Sequence, residues 1–422
     1  MGHGLTFTDS PTIEPTIANR LRTVCGVVGL IGIAASLGLA FSAEDGMRNF
    51  YFSYLTAFFT CVTISLGCLF YVILHHLTRA TWSTAFRRIA ENIAAVLPWA
   101  LVGFLPVLVG LHDLYHWSHA DVVAADPILQ GKAGYLNTPF FIARALIYVA
   151  LWSAMALFFR RMSVRQDETG DTNLTFRMRW WAPLSTLTFA LSVTYAAFDW
   201  IMSLNPHWFS TMFGVIIFAG CMVSGFASLI LMGNWLQKNG ALTTTLTTGN
   251  YHDLGKLMWG FIIFWTYTSF SQYFLIYSAN IPEETFWYNI REINPNTGET
   301  SAWFWVSMGL IFGHFFFPFL YLLFYKNKIN GARISFIALW ILAFHLLDLY
   351  WNIIPGREIV PGAYVGYEAR PVVGTHLFWG IASLIGIGCL CARVVIKSFN
   401  SQVAEVVPVR DPRILDSLNH HE

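Results

Sequence analysis

From Trp200 to Gln237 the chain runs 38 residues without a single Lys, Arg, Asp or Glu. A water-soluble domain has no place for so long an uncharged stretch, whereas about 20 apolar residues are what one crossing of a bilayer requires. Nine further crossings are read the same way. The ten segments fall near 23–43, 50–74, 92–111, 139–159, 182–203, 209–236, 254–279, 302–325, 332–351 and 373–396. Within the 38-residue stretch, Asn205-Pro206 breaks the helical pattern and makes two helices of it, joined by a tight hairpin at a membrane surface. Lipid accepts only helices or closed barrels, and the alternating ten-residue strands of a barrel are absent, so the runs are helices. The expected fold is an all-α integral membrane protein of about ten transmembrane helices.

Composition agrees. Charged residues make up 12% of the 422 and the mean hydropathy is +0.53, against roughly 25% charged in an ordinary soluble domain. The formal net charge of +1 gives no field for nucleic acid. Cys25, Cys61, Cys68, Cys221, Cys389 and Cys391 all lie in apolar runs and read as buried thiols, not as a disulfide framework. No haem-attachment or ferredoxin-type cysteine spacing is present, so no covalent redox centre is read. The bis-His geometry that haem needs is not indicated by His314 and His345. The apolar run after Arg20 and Arg22 is too long for a cleaved leader and is taken as the first helix.

The Lys and Arg count sets the orientation. The two ends and the even-numbered loops hold 18 of these residues, the odd-numbered loops five, and Arg144 and Lys256 sit at helix ends. Both termini are therefore expected in the cytoplasm, with the odd loops, two of them acidic (Asp113 to Asp126 and Glu283 to Glu299), outside. Trp180, Trp181, Trp287, Tyr288, Tyr350 and Trp351 mark interfacial belts. Thr138-Pro139 starts the fourth helix, and Pro98, Pro106 and Pro318 should bend theirs. Three regions follow: a tail over 1–20, a membrane domain over 21–397 and a tail over 398–422.

Charge within a bilayer is costly, so ionisable residues there are candidates for function. On the external side these are His112, Asp113 and His116 on one helix face, Arg144, Asp199 with Tyr195 a turn below, His345 with Asp348, and His119 and His376 at helix ends. Carboxylates, imidazoles and an arginine at one depth suggest a shared polar pocket that exchanges protons or binds a quinone headgroup. The competing reading is of helix ends that meet headgroups and water. On the cytoplasmic side, His252, Asp253 and Lys256 open the seventh helix, either as a solvated helix start or as a proton entry. His75 and His76 are expected to snorkel to the interface, and His314 lies mid-membrane. Hydroxyls, among them Ser192, Thr194, Thr266, Tyr267 and Thr268, form ladders between the layers. They serve either a proton-conducting water chain or interhelical adhesion.

Several stretches carry a resemblance. They are Lys132 to Phe141 (KAGYLNTPFF) followed by Arg144, Phe198 to Gly214 (FDWIMSLNPHWFSTMFG), His252 to Lys256 (HDLGK), Ser271 to Ile276 (SQYFLI) and Asn280 to Thr285 (NIPEET). Over most of the helical region the chain resembles the ActF membrane subunits of alternative complex III, within the wider NrfD-like, polysulfide-reductase-like group. The resemblance implies two four-helix bundles, helices two to five and six to nine, in a bacterial inner membrane. It also implies a complex with a paralogous NrfD-like subunit, an iron–sulfur subunit and multihaem cytochrome c subunits. Its activity would be quinol oxidation, with quinone or menaquinone in the complex and no redox group on this chain. Carried over, the fifth-helix acid is Asp199, the fourth-helix arginine Arg144, and the seventh-helix cluster His252, Asp253 and Lys256. A proton-coupled transporter and a purely structural anchor are the alternatives.

Overall fold

The computed structural model describes residues 14–42, 46–292, 298, 300–358, 375–399 and 407–418. Ten long helical segments account for most of them. They are α1 (Pro15–Ala40), α2 (Gly46–Leu77), α3 (Thr84–Val109), α4 (Thr138–Thr169), α5 (Asn173–Trp200), α6 (Phe213–Lys238), α7 (Thr248–Ala279), α8 (Ala302–Leu323), α9 (Gly331–Ile353) and α10 (Thr375–Phe399). Among the described residues there is no β-strand. Nine of these segments are long and apolar enough to cross a membrane. The remaining one, α7, has 32 residues, about 48 Å at 1.5 Å per residue. It is less apolar only because Thr266–Tyr273 is rich in hydroxyls. The outer faces of the helices are greasy. Leu30, Leu187, Phe274, Phe312 and Leu339 are all more than half exposed, which is the surface that lipid covers. The chain is a multi-pass membrane protein.

The two expected four-helix bundles are present, α2–α5 and α6–α9, and α2 packs along α6 at the seam between them. Small residues make that approach possible. A Cβ at Gly67 would lie 1.9 Å from the Cys221 carbonyl oxygen of α6. Without a hydrophobic force between helices in lipid, such close backbone contact is what holds them. The pair α1 and α10 runs antiparallel outside the bundles and rests on α2. Its seam is again small: Gly32 faces Gly386, and the Ser36 and Ser383 hydroxyls are 2.7 Å apart.

The three prolines sit in different local structure. Pro98 sits in a 3-10 turn, Leu97–Trp99, that divides α3, whereas Pro106 is carried inside the helix that follows. Pro318 follows a π-helical stretch, Leu310–Phe316, in the middle of α8. Proline has no N–H for the carbonyl four or five residues back, and the Gly313 carbonyl instead accepts from Trp340 Nε1 of α9 at 2.7 Å. The cap of α4 is Asn137, not Thr138: its side chain accepts from the Phe140 amide at 3.0 Å.

Two elements depart from the expected outline. Helix α3 begins eight residues earlier than its apolar run, at Thr84, and carries Arg87, Arg88 and Glu91 into a buried position. Residues 407–418, expected as part of a solvated tail, pack back onto that end of the first bundle, with Val407, Asp411, Ile414 and Ser417 buried. One feature explains the other. Arg87 pairs with Asp411 and, at 3.1 Å, with Glu91. Arg88 reaches Glu91 at 2.9 Å and Asp167 at 2.5 Å, and Arg413 holds Asp411 at 2.9 Å. Three cations and three carboxylates balance, so the charges can be buried together.

Candidate functional site

The ionisable residues expected to share one pocket are divided between two buried centres, one in each bundle. The first lies between α4 and α5. Asp199, 1% exposed, accepts from Arg144 Nε at 2.7 Å and from Arg144 Nη2 at 2.9 Å. It also accepts from the Tyr148 hydroxyl at 2.7 Å. This two-pronged contact is the strong form of a guanidinium–carboxylate pair. Arg144 donates its remaining nitrogen to the Tyr135 carbonyl at 2.9 Å and lies 3.8 Å over the Tyr135 ring and 4.3 Å over Phe140. Tyr135, just ahead of α4, is pushed up to about 12 by burial and by the Asp199 charge. Both oxygens of Asp199 are thus engaged, and the pair reads as a fixed clamp.

The second centre spans α2, α7, α8 and α9. Asp348 is 3% exposed and accepts from Trp265 Nε1 at 3.2 Å and from Asn352 Nδ2 at 3.1 Å. Among the described residues no cation pairs with it. One turn earlier, His345 puts Nε2 2.9 Å from the Thr63 hydroxyl of α2, and its Nδ1 has no partner. Gly220 of α6 makes room for this ring: a Cβ there would meet it at 3.1 Å. His314 comes from the π-helical stretch of α8. Its ring is stacked on Trp265, with centroids 4.2 Å apart and planes 7° from parallel, and among the described residues neither ring nitrogen has a side-chain partner. Trp265 therefore joins the carboxylate to the second imidazole. A π-widening at a functional residue is a recurrent device. Here it sets His314 in the bundle interior, wholly buried. An acid without a counter-charge beside two underused imidazoles is a costly arrangement for structure alone.

Other candidates lie elsewhere. His112 and Asp113 are exposed, and the helix that should have carried His116 on the same face stops at Leu114 because Tyr115 is extended (φ −119°, ψ 110°). His112 instead meets Ser118 at 2.9 Å. Tyr195 and Tyr267 point outward, 46% and 66% exposed, and Thr194 packs against Gly214. The hydroxyls are mostly bonded within their own helices: Thr60 to the Thr56 carbonyl, Thr63 to Thr60, Ser192 to Phe189, Thr266 to Ile262 and Thr268 to Phe264. A hydroxyl that donates backward in this way still has lone pairs to offer. At the start of α7, Lys256 and Asp253 pair at 2.9 Å, and His252 meets the Tyr325 ring at 4.7 Å. The side chain of His376 is outside the described residues.

Sequence reasoning missed three features, which involve five residues. Trp265 looked like one more membrane aromatic. His75 and His76 do not snorkel; they are 2% and 1% exposed under the residue 407–418 strap. His75 is 2.5 Å from Ser83 Oγ, and His76 stacks on Phe159. Asp126 and His207 join two loops on one side of the molecule at 2.5 Å. Burial works against ionisation of Asp126, but the bonds from His207 and from the Ile128 and Leu129 amides hold its carboxyl below the ordinary value. Lys132 reaches the Pro206 carbonyl at 2.6 Å across the same gap. The motifs beginning at Lys132 and Phe198 therefore meet around the Asp199 clamp.

No protein-family model matches the chain, and no curated protein matches it. Among the described residues, no group of three or more His, Cys, Asp and Glu side chains is placed to hold a metal ion.

Proposed function

We propose that the chain is a membrane subunit, without its own redox group, of a bacterial quinol:electron-acceptor oxidoreductase of the alternative complex III type, and that it carries protons through its second bundle. The observation that carries this reading is the buried Asp348, which no cation among the described residues pairs with, in one centre with His345 and His314. A carboxyl and an imidazole a turn apart can pass a proton between them, and the Thr63 hydroxyl relays it to α2. His252, Asp253 and Lys256 at the far end of α7 form the cytoplasmic mouth in this scheme. The Asp199–Arg144 clamp holds the first bundle and lies outside this path. Both termini face the cytoplasm, and quinol oxidation itself belongs to partner subunits, the paralogous NrfD-like chain and its iron–sulfur and multihaem neighbours.

Asp348→Asn in the native complex tests this. The side chain keeps its shape and loses its proton. Quinol-to-acceptor electron transfer is expected to continue while proton translocation in proteoliposomes falls at least tenfold. Unchanged proton-to-electron stoichiometry would leave the centre with a structural role only.

A further inference from the structure

The divided helix α3 opens a groove of about 590 Å³ between α1, α2, α3 and α10, away from both polar centres. Its walls are apolar, with Ile33, Phe58, Val62, Val102, Ile387 and Leu390 among the lining. One end is different in kind. Arg22 of α1 and Arg393 and Lys397 of α10 converge there. Among the described residues none of the three is ion-paired. Arg393 lies across Gly26, whose missing side chain makes the room, and spends one N–H on the Arg22 carbonyl at 3.1 Å. Its other donors remain for a ligand.

The dimensions are those of one lipid leaflet. From Arg22 to Ile33 along α1 is about 16 Å at 1.5 Å per residue, about half of the roughly 30 Å hydrocarbon core. An apolar slot one leaflet deep with three cations at its rim complements a phosphate head on an acyl tail. Basic pockets between transmembrane helices select anionic headgroups in this way. A quinone ring, being neutral, would leave the three cations uncompensated. We propose that this groove is a binding site for one anionic phospholipid, its phosphate on Arg22, Arg393 and Lys397 and one acyl chain between α3 and α10.

The purified full chain in detergent, titrated with dioleoyl-phosphatidylglycerol or dioleoyl-phosphatidylcholine and read by native mass spectrometry, tests the assignment. The glycerol lipid is expected to be retained about tenfold or more over the choline lipid. That preference should vanish in Arg22→Gln/Arg393→Gln/Lys397→Gln. Val102→Trp, which fills the slot and leaves the cations in place, should weaken retention of both lipids. Thermal unfolding in the choline lipid checks that each variant folds. Equal retention of the two lipids, a triple variant that keeps the preference, equal competition by inorganic phosphate, or a quinone recovered from the groove in place of lipid would each overturn the proposal.

Discussion

Asp199 and Asp348 each close a helix of one bundle near the same side of the molecule, yet their surroundings assign them opposite duties. Asp199 has a guanidinium in two-pronged contact and a tyrosine hydroxyl besides. Asp348 has an indole and an amide. Removing the cation from the first centre strands a buried carboxylate. Arg144→Met should therefore destabilise the protein by about 3–5 kcal/mol, read as a large fall in thermal unfolding temperature in detergent. Arg144→Met with Asp199→Leu should recover most of the loss, because no buried charge is left. If the double variant is no more stable than the single one, the clamp is doing something other than neutralising charge. The residue types at both centres were legible in the sequence, since each was an ionisable group in an apolar run. Which acid Arg144 would choose was not, because the pairing depends on how α4 and α5 rotate about their axes, and a period of 3.6 leaves that open. Trp265 was invisible for a related reason. An indole that donates to a carboxylate looks, in sequence, like any aromatic in lipid.

At the scale of elements, the ten long helical segments were legible because length and hydropathy mark them, nine meeting both tests of a crossing and α7 meeting only that of length. The irregular pieces were not. A proline signals disturbance but not its form, and Pro98 and Pro318 produce a 3-10 turn and a π-helical stretch respectively. The second matters for the candidate site. With proline at 318 the Gly313 carbonyl is left for Trp340, and His314 is held in the widened turn beside Trp265. Pro318→Ala restores an N–H that can bond back within α8 and rotate His314 out of the stack. Thermal stability should be equal or higher, since a helix-interior proline costs about 3 kcal/mol, while proton translocation should fall severalfold. Proton flux unchanged in a stable variant would mean that the widened turn has no part in transfer. The hydroxyl ladders teach the converse lesson. Tyr267 faces outward, and for Ser192, Thr266 and Thr268 back-bonding to the preceding turn meets most of their needs locally, so a run of hydroxyls in sequence does not by itself make a conducting chain.

For the molecule as a whole, the least expected feature is the strap of residues 407–418 across the cytoplasmic end of the first bundle in our proposed orientation. Its five apolar residues are offset by four charged ones, so nothing in hydropathy marked it for burial. What ties it down is the Arg87–Asp411 pair with α3 and the Arg410 hydrogen bonds to Asp167 and Glu168 of α4, long-range facts that no local pattern carries. Asp411 is the keystone. Burial opposes its ionisation, but Arg87 and Arg413 outweigh that and hold its carboxyl well below the ordinary carboxylate range. The sign of the pH dependence follows. A group whose value is depressed on folding binds fewer protons in the folded state, so its contribution is present above the unfolded value of about 3.9. It is lost as pH falls below that. Limited proteolysis should find the strap protected at neutral pH and cut only under strongly acidic conditions. Asp411→Asn removes the charge at every pH, leaves Arg87 to share Glu91 with Arg88, and takes from Arg413 the carboxylate it pairs with. It should open the strap at pH 7, with a loss of about 3–5 kcal/mol, and expose His75 and His76 to solvent. Hydrogen exchange at residues 407–418 and at the end of α2 reads both effects at once. A variant whose strap stays protected at pH 7 would show that Val407, Ile414 and the Ser417 bond to the Trp82 carbonyl hold it without the ion pairs. The buried charges of α3 would then need another account.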